Sequence, residues 1–471
     1  MWLRRNLRLD DNRVLDAALR AVDAVVPAFV LDDHYLTEDF SPPRLAFLAA
    51  SLRDLAASLE AAGSRLVVRK GPADEALATL CRETGAEAVF THEDAEPHGK
   101  ALLEEARRAL AAQGTALHAV GDLLLLSPDA IATAEGRPFT VFTPFSRRWL
   151  EADKPAPVPA PVRVPTPDLV RSADFPTVPL AKPRGLRETG APRNPKGGAA
   201  EARKTWDAFR AGALLRYAGE RDRPDLAGTS RLSPHLRFGT IGIRRVLAEA
   251  REVWREAPDA GRRGVETFVK ELCWREFYAG ILHRFPRVLT ESSRKEFEAF
   301  PWVTGDEADR RFAAWAEGRT GYPIVDAGMR QLSDEGWMHN RVRMIVASFL
   351  TKDLLVDWRR GEAFFRRHLA DGDPASNAGG WQWAAGTGTD AQPFFRIFNP
   401  VRQGLTFDPD AAYVTRFLPE LARAKERGAA PAFLHAPWTL EKRPADFPAP
   451  IVDHAGARKA ALAAFAQVTK R

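Results

Sequence analysis

Residues 25–94 decide the fold of the N-terminal part of the chain: VVPAFVL (25–31), PRLAFLAASLRDLAASLEAAG (43–63), RLVVRK (65–70), ADEALATLCRETG (73–85) and EAVFTHED (87–94). Short apolar runs alternate here with longer stretches whose apolar residues recur at helical spacing. Strands that alternate with helices form βαβ units, in which consecutive strands run parallel. The stretch therefore predicts a parallel sheet covered by helices.

The same alternation extends outward from this stretch. ALLEEARRALAAQG (101–114) supplies another helix, and ALHAVGDLLLL (116–126) follows as a strand-like run. Residues 1–125 are therefore predicted to form an α/β domain with a Rossmann-like parallel sheet. No G-x-G-x-x-G follows its first strand, which argues against dinucleotide binding in this domain.

The composition changes beyond this domain. Residues 154–169 read KPAPVPAPVRVPTPDL, and residues 126–200 are predicted to be a Pro-rich interdomain linker. From 201 to 471 the periodicity is helical almost throughout, with helix stops expected at GDP, GYP and FNP. The expected fold class is an α/β N-terminal domain plus an all-α C-terminal domain.

The bulk composition is that of a globular protein long enough for two domains. The 471 residues carry a formal charge of +6, a modest basic excess that favours polyanionic partners. Twelve Trp against five Tyr is an unusual balance, which suggests a use for indoles. Cys81 and Cys273 have no partners at metal-ligand spacing, so neither a zinc site nor a disulfide framework is expected. No long apolar run or signal peptide is seen, so we expect a cytoplasmic protein without membrane contact.

Two segments early in the helical part carry candidate chemistry. In GTSRLSPHLRFG (228–239), Thr229, Ser230 and Ser233 offer hydroxyls and helix-start amides that suit a phosphate, with simple N-capping as the alternative. VKELCWREFYAGIL (269–282) places a carboxylate beside aromatic rings on one helical face, which suits a flat polar ligand. An amphipathic helix with a satisfied ion pair is the alternative there.

Two later segments add to the candidate site. WMHNRVRM (337–344) gathers an amide, guanidiniums and a thioether where a polar start changes to an apolar helix. In DGDPASNAGGWQWAAGTGTD (371–390), Asp373 before a proline marks a helix start. Gly379 and Gly380, followed by two Trp, invite close approach of a flat ligand.

The chain resembles the class I cyclobutane pyrimidine dimer photolyases of the photolyase and cryptochrome family. The resemblance covers essentially the whole chain and rests on motifs in the family's order: WLRRNLRLDDN, TSRLS, ELCWREF, TGYPIVDAGMRQL, WMHNRVRM, DGDPASNAGGWQWAAGTGTD and RIFNP. It implies light-driven repair of these dimers in DNA, by electron transfer from excited reduced FAD to a dimer flipped out of the duplex. It also implies that FAD lies folded back in the helical domain.

The resemblance assigns the flavin pocket residue by residue. Asn377 matches the residue that faces flavin N5, where an amide can hydrogen-bond a protonated N5 without adding charge. The positions that match FAD-binding residues are Tyr217, Thr229, Ser230, Arg231, Leu232, Ser233, Glu271, Trp274, Arg275, Asn340, Arg343, Asp371, Asp373 and Asn377.

The resemblance also implies a lesion pocket and an electron-transfer chain. Glu271, Asn340, Met344 and Asn377 are the catalytic candidates. Trp381, Trp358 and Trp302 match the chain that carries electrons to oxidised FAD, although the residues alone would indicate core tryptophans. The positions that match lesion and DNA contacts are Arg221, Glu271, Trp274, Asn340, Arg341, Met344, Trp383, Arg396 and Gln403.

Several alternatives stay open. A second antenna chromophore is possible, as folate, deazaflavin or a flavin, but no motif decides its identity or presence. Thr406 stands where relatives often have a lysine, and Arg402 could compensate for that phosphate contact. The main rival is a cryptochrome-type photoreceptor without repair activity, and a basic DNA-binding module is a weaker one. A (6-4) photolyase would need a catalytic histidine, whereas His339 is expected to be structural. The protein is expected to be a monomer.

Overall fold

The structure is a computed structural model. It describes residues 1–37, 40–172, 175, 177, 195–391, 393–394, 396–440 and 444–469. Every site residue predicted above lies within these ranges. Part of the predicted linker, residues 173–174, 176 and 178–194, lies outside them.

The N-terminal part forms a parallel α/β domain, as predicted. Its strands are β1 (Trp2–Leu3), β2 (Ala28–Leu31), β3 (Val67–Lys70), β4 (Ala88–His92) and β5 (Ala116–Val120). β2 pairs in parallel with β1 and β3, and β4 pairs in parallel with β5. Because β4 also lies beside β1, the spatial order is 3-2-1-4-5, which is the Rossmann-type order. The first strand is only two residues long.

Four helices cover this sheet. They are α1 (Arg13–Ala21), α2 (Pro42–Ala61), α3 (Ala73–Thr84) and α4 (Pro97–Ala111). Phe29 on β2 and Val67 on β3 are completely buried. Strands of a parallel sheet are covered on both faces, which explains why the apolar runs in this part of the sequence are nearly continuous.

The predicted linker is more structured than its composition indicates. It contains α5 (Phe142–Glu151) and α6 (Asp168–Arg171), and between them the chain is extended. This extended stretch binds back onto the α/β domain, since Asp11 N donates to Val158 O at 2.8 Å and Val164 N donates to Ala62 O at 2.9 Å. The Pro-rich segment therefore lies against the first domain, and the linker bounds stay a prediction.

The rest of the described chain is helical. None of the described helices is both long and apolar enough to cross a membrane. π-helical turns at Phe209–Ala213 and Phe349–Asp353 precede α8 and follow α14. The helices are α7 (Ala199–Ala208), α8 (Leu214–Glu220), α9 (Ser233–Phe238), α10 (Ile243–Glu256), α11 (Asp259–Arg284), α12 (Gly305–Ala316), α13 (Pro323–Glu335), α14 (Asn340–Ser348), α15 (Trp358–His368), α16 (Pro374–Ala385), α17 (Pro400–Phe407), α18 (Ala412–Phe417), α19 (Pro419–Glu426), α20 (Pro431–Leu434) and α21 (His454–Thr469).

Proline opens helices at the three motifs where helix stops were predicted. Pro323, Pro374 and Pro400 are the first residues of α13, α16 and α17. Proline suits this position because its missing N–H has no intrahelical partner in the first turn. The motifs therefore lie in breaks between helices, since α12 and α15 have ended before GYP and GDP, and each motif also starts the next helix.

A buried ion network joins the helical domain to the α/β domain. Arg244 on α10 donates to Asp11 Oδ1 at 2.7 Å and to Asp122 Oδ1 at 2.6 Å, and it also bonds both backbone carbonyls. All three side chains are fully buried. Removing one partner of a buried ion pair costs about 3–5 kcal/mol because the other charge stays buried and unpaired. The network therefore fixes the position of α10 against the first domain.

Candidate functional site

One cavity of about 470 Å³ lies among the helices of the C-terminal domain. Its walls come from α8, the 229–237 segment, α11, α14, α15 and α16. A volume of this size is typical of a pocket for a large organic ligand.

The cavity brings together all fourteen residues predicted to bind FAD. It also brings together the lesion-binding candidates Arg221, Met344 and Trp383, and the electron-transfer candidate Trp381. The predicted residues that do not line it are Arg341, Arg396, Gln403, Trp302 and Trp358. The predicted FAD-binding residues that line the cavity are Tyr217, Thr229, Ser230, Arg231, Leu232, Ser233, Glu271, Trp274, Arg275, Asn340, Arg343, Asp371, Asp373 and Asn377.

The 229–233 segment forms a polar loop at one end of the cavity. Arg231 has a positive φ of 51°, and Leu232 N donates to Ser230 Oγ at 3.4 Å within the loop. No side chain caps α9, which begins at Ser233, so the N-capping alternative is wrong for this segment. A turn of this kind directs backbone amides and hydroxyls at a common point and suits an anion.

The guanidinium of Arg275 adds positive charge near this loop. Arg275 donates to the carbonyls of Leu123 at 3.0 Å and Leu236 at 3.4 Å. Burial lowers its pKa, although Asp373 opposes this shift. Because both hydrogen bonds of Arg275 go to neutral carbonyls, its charge is available to a phosphate. The loop and this guanidinium together fit the diphosphate of FAD.

A carboxylate and a guanidinium pair on another wall. Arg343 Nη2 donates to Asp371 Oδ2 at 2.9 Å, and Gly372 N donates to Asp371 Oδ1 at 2.8 Å. Burial alone would raise the pKa of Asp371, but Arg343, Ser233 and the Gly372 amide lower it below its usual range. Asp371 is therefore ionised. Asp373 caps α16, where it accepts from Ser376 N at 2.8 Å.

The Asn377 amide is held in one orientation. Its Nδ2 donates to Glu362 Oε1 at 2.7 Å and to Glu362 O at 3.1 Å. Both amide hydrogens are used in this way, so the side-chain oxygen is left as the acceptor. At the cavity wall, Asn377 can therefore accept a hydrogen bond from a protonated ring nitrogen. It does not offer a donor.

An ion pair lies at the other side of the cavity. Arg221 Nη1 donates to Glu271 Oε1 at 2.6 Å, and the guanidinium lies 5.7 Å from the centre of the Tyr217 ring. Burial raises the pKa of Glu271, and Arg221 opposes this shift. The alternative for this helix, a satisfied ion pair, is thus also present. It coexists with a cavity-facing carboxylate.

Aromatic rings line the same side. Trp274 lies 5.5 Å from Tyr278, ring centre to ring centre, and Trp383 is half-buried. A Cβ on Gly379 would lie 2.3 Å from the Tyr278 ring, whereas one on Gly380 would meet nothing within 4 Å. The missing side chain of Gly379 therefore makes room for the Tyr278 ring, whereas the missing side chain of Gly380 leaves open space at the cavity.

The start of α14 presents polar and soft groups together. Asn340 Nδ2 lies 3.9 Å from Met344 Sδ, and both residues line the cavity. His339 caps α14 because its Nδ1 accepts from Arg341 N at 3.2 Å. Burial lowers the pKa of His339 to about 4, so the imidazole is neutral at pH 7. These contacts fit the expected structural role of His339.

Three DNA-contact candidates lie outside the cavity. Arg341 Nη2 bonds Asp222 Oδ2 at 2.9 Å and lies 4.4 Å from the centre of the Phe407 ring. Arg396 is exposed, and its carbonyl accepts from Lys352 Nζ at 3.1 Å. Gln403 is half-buried on α17, the helix that also carries the Phe407 ring. Arg341 and α17 are therefore neighbours.

The three tryptophans of the predicted electron chain share one apolar cluster. Trp381 lines the cavity, Trp358 is fully buried, and Trp302 is partly exposed at the edge of the cluster. Val303 N donates to Leu355 O at 2.8 Å, which ties the Trp302 segment to the stretch before Trp358. Of these three indoles, Trp302 is therefore the one that reaches solvent.

Three residues near the site were missed by sequence reasoning. Glu362 orients Asn377, Asp222 pairs with Arg341, and Phe142 stacks on Trp274. Each contact joins segments that are separate in the sequence. Phe142 stands in the run VFTPF (141–145), which carries no local signal of a site.

The chain is similar to known proteins over nearly its whole length. Residues 1–163 match the family model "DNA photolyase", and residues 268–467 match "FAD binding domain of DNA photolyase". The deoxyribodipyrimidine photo-lyase of Halobacterium salinarum is 43% identical, with 98% of each chain covered. That of a Synechococcus species is 40% identical over 96% of this chain and 93% of the relative.

Solved structures also share the fold. A class III photolyase from Agrobacterium tumefaciens has a TM-score of 0.90 at 38% identity, covering 100% of this chain and 97% of that one. A photolyase from Sulfolobus tokodaii with two FAD molecules has a TM-score of 0.81 at 30% identity, covering 99% of each chain. A cryptochrome from Synechocystis has a TM-score of 0.87 at 27% identity, covering 98% of each chain.

Proposed function

The chain belongs to the photolyase and cryptochrome family, and we propose that it uses light to split cyclobutane pyrimidine dimers in DNA. The support is twofold. Relatives that bear the name deoxyribodipyrimidine photo-lyase align over nearly the whole chain at 43% and 40% identity. The observation that carries the proposal is the single cavity that gathers the predicted flavin residues and most of the predicted lesion residues.

The cavity fits FAD by its chemistry. Its hydroxyl loop and Arg275 suit the diphosphate, and the ionised Asp371 with Arg343 suits the polar edge of an isoalloxazine. Asn377 offers only its oxygen, so it would hold a proton at flavin N5 and disfavour an unprotonated N5. When bound, FAD supplies a light-excited electron for opening the dimer ring.

The chain's own residues bind and orient the lesion. A dimer inside a duplex cannot reach the cavity, so the lesion is flipped out, and unstacking costs least for damaged bases. Trp274 and Trp383 then stack on the pyrimidines, while Glu271 and Asn340 bond their polar edges. Met344 adds an apolar thioether to the cavity wall beside Asn340. Trp381, Trp358 and Trp302 form the proposed route for reduction of the cofactor.

Contacts to the DNA backbone complete the proposal. Arg221 is half-buried in the cavity wall, Arg341 borders α17 outside the cavity, and Arg396 is exposed on the loop before that helix. These guanidiniums suit backbone phosphates, which position DNA without reading its sequence. Gln403 adds an amide on α17. We also propose that the protein is a monomer and acts in the cytoplasm, where it meets DNA.

The class and the antenna chromophore belong to the proposal as well. The motifs support class I, whereas the likeness to the class III structure from Agrobacterium tumefaciens supports class III. A sequence tree with members of both classes decides between them. The two FAD molecules in the Sulfolobus tokodaii photolyase support a second flavin as the antenna over folate or deazaflavin. Mass spectrometry of chromophores released from the purified protein tests this point.

A cryptochrome-type photoreceptor is the second candidate, because the Synechocystis cryptochrome shares the fold at a TM-score of 0.87. Repair of a defined thymine dimer in a short oligonucleotide separates the two functions. Reduced, FAD-loaded protein should restore intact thymines under blue light and not in darkness. FAD binding without restoration would overturn the proposal in favour of the photoreceptor.

A further inference from the structure

Phe142 lies face to face with Trp274. The ring centres are 3.6 Å apart and the ring planes differ by only 6°. Trp274 lines the cavity on α11, whereas Phe142 is the first residue of α5, in the segment that connects the two domains. The contact therefore joins a cavity wall to a part of the chain that supplies no cavity residue itself.

Phe142 is held in place by two further contacts. Its backbone N donates to Asp390 Oδ2 at 3.3 Å, and its ring lies edge-on to Phe277 at 5.8 Å. Asp390 has a positive φ of 49° at the end of the loop that follows α16. The residue thus sits between α11 and this loop, and its ring has little freedom to move away from Trp274.

We propose that Phe142 is a positioning residue for lesion recognition, which fixes the plane of the Trp274 indole. This inference rests on the proposed function. A stacking platform binds a flat base best when its plane is set before binding, because no side-chain freedom is then lost in the complex. Phe142 occupies one face of the indole, so a flipped pyrimidine has only the other face to use.

The inference predicts a selective effect. Trp274 contacts a flipped pyrimidine, whereas phosphate contacts come from arginines elsewhere. Loss of the flat ring at position 142 should therefore weaken binding of dimer-containing DNA and leave binding of undamaged DNA unchanged. A general folding defect would weaken both, and loss of the cofactor would show as loss of the FAD absorbance of the variant.

The test compares leucine substitutions at two phenylalanines of α5. Phe145 is also buried and packs on Phe277 at 5.3 Å, so Phe145→Leu is the matched control. Dissociation constants are measured by gel shift for one oligonucleotide with and without a thymine dimer. For Phe142→Leu we expect roughly 2- to 12-fold weaker binding of the damaged strand only, the range typical of an aromatic pair. Phe145→Leu should keep the ratio of the two affinities.

Two further variants make the outcome decisive. Phe142→Tyr keeps a flat ring and should keep the wild-type ratio, and Phe142→Met fills similar space without one and should lose it. An unchanged ratio in Phe142→Leu and Phe142→Met, or an equal loss in Phe145→Leu, would overturn the inference. If wild-type protein itself does not distinguish damaged from undamaged DNA, the proposed function fails first.

Discussion

Arg221 and Glu271 form an ion pair with a distance of 2.6 Å at the side of the cavity, although each is predicted to contact a different part of the DNA. In the free protein, each group therefore neutralises the other. Binding of a flipped dimer would replace this pair by a phosphate on Arg221 and a pyrimidine edge on Glu271. The free protein thus keeps both groups ordered before the substrate arrives.

Glu271→Gln should weaken light-driven repair by roughly 10- to 150-fold, because one hydrogen bond to a charged group is worth about 1.5–3 kcal/mol. The same change frees Arg221, so binding of undamaged DNA should rise slightly. Repair yield of a thymine-dimer oligonucleotide and gel shifts measure the two effects. Glu266→Gln, an exposed position on the same helix, is the control. Unchanged repair would remove Glu271 from the catalytic set.

DNA binding should depend strongly on salt. If about four phosphates are neutralised, the slope of log affinity against log salt is about −3.6, from roughly −0.9 per phosphate. Arg396→Gln should reduce the slope by about 0.9 units. Arg310→Gln on α12 is an exposed control that should leave the slope as it is. Equal slopes for wild type and Arg396→Gln would show that Arg396 does not contact a phosphate.

Trp381→Phe should block photoreduction of oxidised FAD but spare repair when the cofactor is reduced chemically beforehand. The absorbance of the protein under blue light follows the first effect, and the oligonucleotide assay follows the second. Trp315 contacts Trp381 edge-on at 5.9 Å, but it is fully buried and its indole N–H bonds Val346 O at 3.0 Å. The Trp315→Phe variant should therefore show normal photoreduction of oxidised FAD. Normal photoreduction in Trp381→Phe would mean that another route dominates.

His339 should make stability depend on pH in the acid range. Its pKa is lowered from 6.5 to about 4 in the folded protein, so its contribution is fully present above pH 6.5. That contribution is lost as the pH falls from 6.5 through 4. His339→Asn keeps a good helix cap and does not titrate, so urea unfolding should show a smaller loss between pH 7 and pH 4.5. Equal losses of stability in wild type and His339→Asn would contradict the lowered pKa of His339. Loss of repair activity in His339→Asn would contradict a structural role for this residue.

The sequence predicts the architecture well because its signals are local. Alternating apolar runs indicate the parallel sheet, and the site motifs are continuous segments whose residues converge on one cavity. The helix boundaries were harder, since proline follows the end of one helix and starts the next. The start of α16 after Asp373 was predicted, whereas only the structure shows that Pro323 and Pro400 start helices. Contacts such as Asn377 with Glu362 or Phe142 with Trp274 depend on how distant segments pack. No local pattern encodes such packing.

The buried network of Arg244 with Asp11 and Asp122 determines whether the protein or the DNA changes shape when the two bind. Four charged hydrogen bonds from one guanidinium join the two domains in a dry interface, so opening the domains would break several of them at once. The two domains therefore keep one arrangement when DNA binds. The duplex has to deform to bring a lesion into the cavity, and lesions at sites where DNA bends easily should be bound first.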